Sequence, residues 1–206
     1  MSLSLEQGTY LVAVARRAVE VAVLEGRNPR SEDLPAWMGD GVFLDAMRGA
    51  FVTLTDGRDE LRGCIGLPYP IKPLKEAVVH AAVGAATHDP RFPRVGKGEL
   101  DFLKVEVSAL TSPETMKCKP MELPSRIRVG VDGLIVSGRG TSGLLLPQVG
   151  TEFGAAPDEF LSMTCQKAGL LPDSWLAPDV EVKRFQAEVF GEERPKGAVA
   201  ELAAPR

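Results

Sequence analysis

The sequence has few of the side chains that build metal centres and disulfide frameworks. It contains three cysteines, at positions 64, 118 and 165, and two histidines, His80 and His88. An odd number of cysteines without Cys-x-x-Cys spacing argues against a disulfide framework, so we expect a protein of the reducing cytoplasm. A closed zinc site would need nearly all of these side chains to converge. We therefore predict no metal and no cofactor.

Long apolar runs and basic blocks are also absent. No stretch reaches the roughly 18 to 20 apolar residues that span a bilayer, and the N-terminus lacks the segments of a secretory signal, so we expect no membrane association. The 28 acidic residues outnumber the 24 basic ones. Nucleic acid is therefore only the third function class that we consider, because it requires a basic surface. A hydrophobic content of 44% over 206 residues indicates a globular protein with a sizeable core.

Apolar residues at helical spacing predict three main helices and one brief helix. Ser4 and Gln7 fit a capping box at the start of the first, and Gly169 follows the end of the last. The predicted helices span residues 5–25, 73–87, 147–154 and 157–168.

The predicted strands are connected mainly by hairpins. Asp56-Gly57 marks the turn of one hairpin, and Asp132-Gly133 is the two-residue loop that type I′ hairpins favour. Hairpins interrupted by single helices predict an α+β fold with antiparallel sheets. The strands are predicted at residues 49–55, 61–66, 103–110, 127–131, 134–136, 144–146 and 181–190. The tail at 191–206 is predicted to be disordered.

The most unusual stretch is Leu61-Arg62-Gly63-Cys64-Ile65-Gly66. Two glycines weaken a strand, so their presence beside a cysteine predicts a close approach to the backbone. In an extended strand Arg62 and Cys64 lie on the same face, roughly 7 Å apart. The cation would then raise the thiolate fraction of Cys64, which is a candidate catalytic nucleophile with His80 or His88 as a possible base. The alternatives are a groove-lining residue without covalent chemistry and a small buried hydrophobe.

Two further motifs each have a functional and a structural interpretation. Residues 138–143 match G-x-G-x-x-G, but no helix follows directly, so we predict a turn between strands and no dinucleotide site. Arg91 and Arg94 flank Phe92 and Pro93, and the two arginines could bind an anion. Alternatively, Phe92 fills the core while both arginines remain solvated.

The six-residue stretch resembles the LRGCIG signature of the AMMECR domain family. Other segments resemble the family in the same order over roughly residues 5–190, although Ala155 stands where many relatives have an aromatic residue. These segments are Asp89-Pro90-Arg91-Phe92-Pro93, Asp132-Gly133-Leu134-Ile135-Val136, residues 142–149, Thr164-Cys165 and residues 167–170.

The resemblance implies a single domain over residues 1–190 with two lobes and a cleft between them. Each lobe would have an antiparallel sheet and flanking helices, and the larger lobe would hold both termini, with the smaller lobe inserted. The signature strand would face the cleft. The candidate cleft residues are Leu61, Arg62, Gly63, Cys64, Ile65, Gly66, Asp89, Arg91 and Phe92.

The resemblance assigns no reaction. Prokaryotic relatives are associated with Memo-like proteins and with a radical SAM protein, which implies these classes as partners. Our leading hypothesis is a cytoplasmic protein whose cleft engages a partner protein or a large substrate. The alternatives are a cysteine-dependent enzyme using Cys64 and, third, a nucleic-acid-binding protein.

Overall fold

The computed structural model describes residues 2–202, which form two compact units. Unit 1 comprises residues 2–110 and 188–202, and unit 2 comprises residues 111–187. The helices are α1 (Leu5–Leu24), α2 (Val42–Asp45), α3 (Leu74–Thr87), α4 (Leu123–Arg126), α5 (Pro147–Glu152) and α6 (Pro157–Lys167). The strands are β1 (Ala50–Thr55), β2 (Leu61–Leu67), β3 (Lys104–Leu110), β4 (Glu114–Thr115), β5 (Gly133–Gly138), β6 (Thr141–Leu145), β7 (Val180–Phe185), β8 (Ala187–Glu192) and β9 (Val199–Leu202). The predicted α+β class is confirmed.

Unit 1 is built on a five-stranded sheet in the order β2-β1-β3-β8-β9. The predicted capping box starts α1, since Gln7 N–H donates to Ser4 Oγ at 3.2 Å and Ser4 N–H donates to Gln7 Oε1 at 2.9 Å. Helices α1 and α3 contact each other and the sheet. Their apolar faces form one core with alternate residues of the strands and Phe190.

Unit 2 is built on a four-stranded sheet in the order β4-β7-β5-β6. Helix α6 contributes Phe160, Leu161 and Cys165 to a second core. Gly143 of β6 lies directly beneath the end of this helix, because a Cβ there would collide with the backbone of Lys167 and Ala168. A glycine is therefore required for α6 to approach the sheet.

The hairpin predicted around Asp132-Gly133 is wrong. Residues 127–131 form no strand, and β5 pairs instead with β6 through Arg139 and Gly140. These two residues have positive φ angles of 53° and 79°, which is typical of a type I′ turn. The turn predicted within residues 138–143 is thus present. Asp132 is fully buried and accepts hydrogen bonds from Arg128 N at 2.9 Å and Gln186 Nε2 at 3.0 Å, so it anchors a loop.

The single strand predicted at 181–190 is two strands, separated at Gln186 and belonging to different sheets. The predicted disorder of the tail is also wrong for residues 191–202. Strand β8 continues through Glu192, which pairs with the buried Arg16, and β9 then pairs with β8. A composition rich in Glu and Pro does not reveal that one glutamate has a buried counter-ion. Residues 203–206 lie outside the described residues.

No helix within residues 2–202 combines the length and the apolar character needed to cross a membrane.

Candidate functional site

Cys64 lies in a row of side chains that crosses three strands of the unit 1 sheet. Thr53 of β1 is the register partner of both Cys64 on β2 and Glu106 on β3. Thr53 Oγ1 donates a hydrogen bond to Cys64 Sγ at 3.3 Å. All three side chains are partly exposed. We define the Cys64 face as Phe51, Thr53, Cys64, Gly66, Glu106 and Ser108, which lie on the side of the sheet opposite α3.

The glycines of the signature fix β2 against its neighbours. A Cβ on Gly63 would collide with the carbonyl oxygen of Ala85, so α3 packs directly on the strand backbone. A Cβ on Gly84 of the helix would lie 2.8 Å from Ile65 Cγ2. Gly63 and Ile65 therefore face the helix, and Cys64 faces the other side, as the alternation predicts.

Asp89 and Arg91 hold the outer edge of β2, which is the edge strand of the sheet. Asp89 Oδ2 accepts from Cys64 N at 2.8 Å, and Arg91 Nη2 donates to Cys64 O at 3.1 Å. The two side chains also form an ion pair of 2.7 Å, and the Arg91 guanidinium holds the pKa of the Asp89 carboxyl well below its usual range. This pair satisfies the backbone groups of Cys64 that a further strand would otherwise have to satisfy.

The Arg62 guanidinium is bound by the segment at residues 93–99. Its Nε and Nη2 donate to Glu99 at 2.7 and 3.0 Å, and Nη1 and Nη2 donate to the carbonyl oxygens of Pro93 and Arg94 at 2.9 and 3.3 Å. The ion pair lowers the pKa of Glu99. Arg62 thus fixes the segment that follows Asp89 and Arg91.

The thiol of Cys64 is not activated in the way that the sequence suggested. Burial raises its pKa, and the hydrogen bond from Thr53 and the charge of Arg91 only partly offset this effect. The expectation that Arg62 would raise the thiolate fraction is therefore wrong, because its guanidinium is bound to Glu99. A thiol with a raised pKa is a weak nucleophile at neutral pH.

Neither histidine forms a hydrogen bond with Cys64 in the described part of the chain. His80 is exposed and lines a groove of about 610 Å³ beside α3, together with Pro29, Leu34 and Val79. His88 is exposed, and its Nδ1 lies 2.7 Å from Thr87 Oγ1. The imidazole base that the enzyme hypothesis requires is not positioned at the thiol.

The remaining candidate residues support the strand or lie at its end. Phe92 is partly buried, with the Arg91 guanidinium 5.5 Å from its ring centre. Neither interpretation of this segment describes Arg91, which binds Asp89 and the backbone of Cys64. Leu61 is 42% exposed at the start of β2. A Cβ on Gly66 would collide with the ring of Phe51, so this glycine makes room for the aromatic side chain.

The sequence reasoning missed Thr53 and Glu106 as members of the site. Alternation along residues 103–110 places Glu106 away from the core, but pairing of β3 with β1 is a long-range contact that no local pattern predicts. Burial raises the pKa of Glu106, and the charge of Lys104 partly offsets this effect. Within residues 2–202 no group of three or more His, Cys, Asp or Glu side chains is arranged to hold a metal ion.

The two antiparallel sheets, with Asp89 and Arg91 bound to the outer edge of the signature strand β2, define an α+β protein of one particular family. The AMMECR1 family model matches residues 12–190, and the chain belongs to that family. A protein of Thermococcus gammatolerans is 51% identical over 199 residues, covering 94% of each chain. A protein of Methanothermobacter thermautotrophicus is 51% identical over 193 residues, covering 93% of this chain and 97% of its own. The crystal structure of the uncharacterized protein PH0010 from Pyrococcus horikoshii is similar with a TM-score of 0.83 and 47% identity, covering 96% of this chain and 97% of that one.

Proposed function

We propose that this chain is a binding protein that engages a partner protein through the Cys64 face. The observation that carries the proposal is the way β2 is held. Helix α3 covers one face of the strand, β1 pairs with one edge, and Asp89 with Arg91 binds the other edge at Cys64. The Cys64 face is the one side of β2 that none of these groups contacts. Thr53, Cys64 and Glu106 are partly exposed on it. A rigid, partly exposed row of polar groups is suited to recognition, because little conformational entropy is lost when it binds.

The family resemblance makes a Memo-like protein the first partner to test, and the radical SAM protein the second. Thr53→Lys should weaken binding of the Memo-like protein at least tenfold, because it places a long charged side chain in the middle of the row. Thr115→Lys is the matched control, since Thr115 is an exposed threonine on a strand of unit 2. Isothermal titration calorimetry measures both affinities, and circular dichroism verifies that both variants fold.

Hydrogen-exchange mass spectrometry of the unmodified chain tests the same surface without a substitution. On addition of the Memo-like protein, peptides covering β1 and β2 should exchange more slowly, while the mostly exposed loop at residues 36–41 should not change. Equal affinities for the two lysine variants, or slower exchange elsewhere only, would refute the Cys64 face as the binding surface. Binding of the radical SAM protein alone would refute the choice of partner.

The cysteine-dependent enzyme remains the alternative, and it predicts different chemistry. The raised pKa of Cys64 predicts alkylation by iodoacetamide at pH 7 that is slower than that of free cysteine, with peptide mass spectrometry separating Cys64 from Cys118 and Cys165. Rapid and selective labelling of Cys64 would support the enzyme instead. Catalysis would also require Cys64→Ala and Cys64→Ser each to abolish turnover in a folded chain.

Nucleic acid remains the third hypothesis, and the charges of the site argue against it. Arg62 and Arg91 are bound to Glu99 and Asp89, and Glu106 adds an acidic group to the face. A phosphate backbone requires available cations. The cytoplasmic location and the placement of the site in a cleft between lobes stay predictions.

A further inference from the structure

Glu106 differs from the other carboxylates that are withdrawn from solvent. Every other buried or partly buried carboxylate in residues 2–202 is held by an arginine or by backbone N–H groups. These are Glu20 with Arg17, Asp33 with Arg27, Asp89 with Arg91, Glu99 with Arg62, Asp132 with Arg128, Glu188 with Arg48, Glu192 with Arg16, and Asp56 with the N–H groups of residues 58 and 60. Glu106 forms no hydrogen bond or ion pair with any described residue, although it lies on the central strand of its sheet.

The surroundings of Glu106 leave its carboxyl group without a cation but open to an approaching one. Thr53 lies beside it on β1, and Gly191 of β8 lies on its other side, where a Cβ would be 3.6 Å from the Glu106 side chain. Lys104, two residues away on the same strand, forms an ion pair with Asp59. Burial raises the pKa of Glu106 and the charge of Lys104 only partly offsets this effect, as expected for a carboxyl group with reduced hydration and no hydrogen-bonded cation. The side chain is still partly exposed, so a ligand can reach it.

We propose that Glu106 is the receptor for an arginine side chain of the partner protein. This arginine would supply the guanidinium group that every comparable side-chain pair within residues 2–202 contains. A guanidinium can donate two parallel hydrogen bonds to one carboxylate, and a further N–H can reach a neighbouring acceptor. Thr53 Oγ1 offers such an acceptor, because its proton is donated to Cys64 Sγ. This inference rests on the proposed function for the partner, but the carboxylate site can be tested without one.

The test uses acetyl-arginine-amide as the probe and acetyl-citrulline-amide as its neutral isostere. Both are titrated at pH 7 into the ¹⁵N-labelled full chain, and NMR spectroscopy follows the backbone amide signals of residues 53 and 106, which are present in the wild-type chain and in every variant. The wild-type chain should bind the arginine probe roughly five- to tenfold more tightly than the citrulline probe, as expected for a partly exposed ion pair. In Glu106→Gln this preference should disappear. Glu193→Gln is the matched control, because it removes an exposed glutamate of the same unit, and it should keep the preference.

The outcomes separate this inference from the proposed function. Loss of the arginine preference in Glu106→Gln alone supports the cation site even if the Memo-like protein fails to bind the Cys64 face. Equal binding of arginine and citrulline probes overturns it even if that protein does bind. Acetyl-lysine-amide binding as tightly as the arginine probe overturns the choice of a guanidinium. Circular dichroism verifies that Glu106→Gln is folded, which the isosteric amide favours.

Discussion

Replacing Asp89 by alanine should release the outer edge of β2 at Cys64. The Asp89 side chain is 2% exposed and accepts hydrogen bonds from Cys64 N, Arg91 N and the Arg91 guanidinium. Removing it leaves the Cys64 N–H without its acceptor, whereas Arg91, at 53% exposure, can return to solvent. Since a hydrogen bond to a charged group contributes about 1.5–3 kcal/mol, we expect Asp89→Ala to lower the free energy of unfolding by about 2–4 kcal/mol.

Urea denaturation measures the global effect, and amide hydrogen exchange at Cys64 measures the local one. A loss of about 2 kcal/mol corresponds to roughly thirtyfold faster exchange at Cys64 when exchange requires opening of the strand. Asp101→Ala is the control, because Asp101 pairs with Lys196 at an exposed site and its removal should leave the free energy of unfolding almost unchanged. Unchanged exchange at Cys64 in Asp89→Ala would refute the role assigned to the pair.

The pKa of Asp89 also sets a direction for the pH dependence. Arg91 lowers this pKa in the folded chain, so the carboxylate contributes its full stabilisation above the ordinary aspartate pKa of about 4 and loses it as the pH falls further. The difference in stability between wild type and Asp89→Ala should therefore be constant near neutral pH and shrink under acid conditions. A difference that grows as the pH falls would contradict this assignment.

Two further tests, each with a pair of substitutions, probe the packing of unit 1 by urea denaturation. Gly63→Ala should lower the free energy of unfolding by about 1–3 kcal/mol or more, because the new Cβ collides with the Ala85 carbonyl oxygen. Gly98→Ala is the control and should be nearly neutral, because its Cβ meets nothing within 4 Å. Similar losses of stability in both variants would refute the close approach of α3 to β2. Arg16→Met should cost about 3–5 kcal/mol by leaving Glu192 as an unpaired buried charge, and adding Glu192→Leu should recover much of that loss. A double variant as unstable as the sum of the two single variants would contradict the pairing.

Local patterns predicted α1, α3, α5, α6 and the β1–β2 hairpin because their signals lie close together in sequence, whereas the four-residue helices α2 and α4 were not predicted. Ser4 and Gln7 mark the start of α1, and the four predicted helices begin and end within one or two residues of their predicted bounds. The Asp132-Gly133 hairpin was wrong because the Asp132 carboxylate is bound by groups from a loop and from Gln186, which is distant in sequence. A turn signature does not reveal such a partner.

In the candidate site, too, the features set by local sequence were predictable and the long-range contacts were not. Cys64 and the close-packed glycines Gly63 and Gly66 were evident from composition. The alternation of side chains along the strand placed Cys64 on the face opposite Gly63 and Ile65, as in the structure. The partners of the arginines were not evident, because Arg62 binds Glu99 and Arg91 binds Asp89 across loops whose paths are set by the folded chain. Glu106 could not be connected with Cys64 until the order of the strands was known.

The division of residues 180–192 into β7 and β8 has a consequence for synthesis on the ribosome. Strand β3 pairs with β8 along one edge, and β8 is translated only after residues 111–187 of unit 2. At about 5–20 residues per second this delay lasts several seconds, during which one edge of β3 is unpaired and Arg16 and Arg48 lack their glutamates. The nascent unit 1 is therefore open to aggregation until its last two strands emerge, and a chaperone that shields β3 during that interval should raise the yield of folded chain.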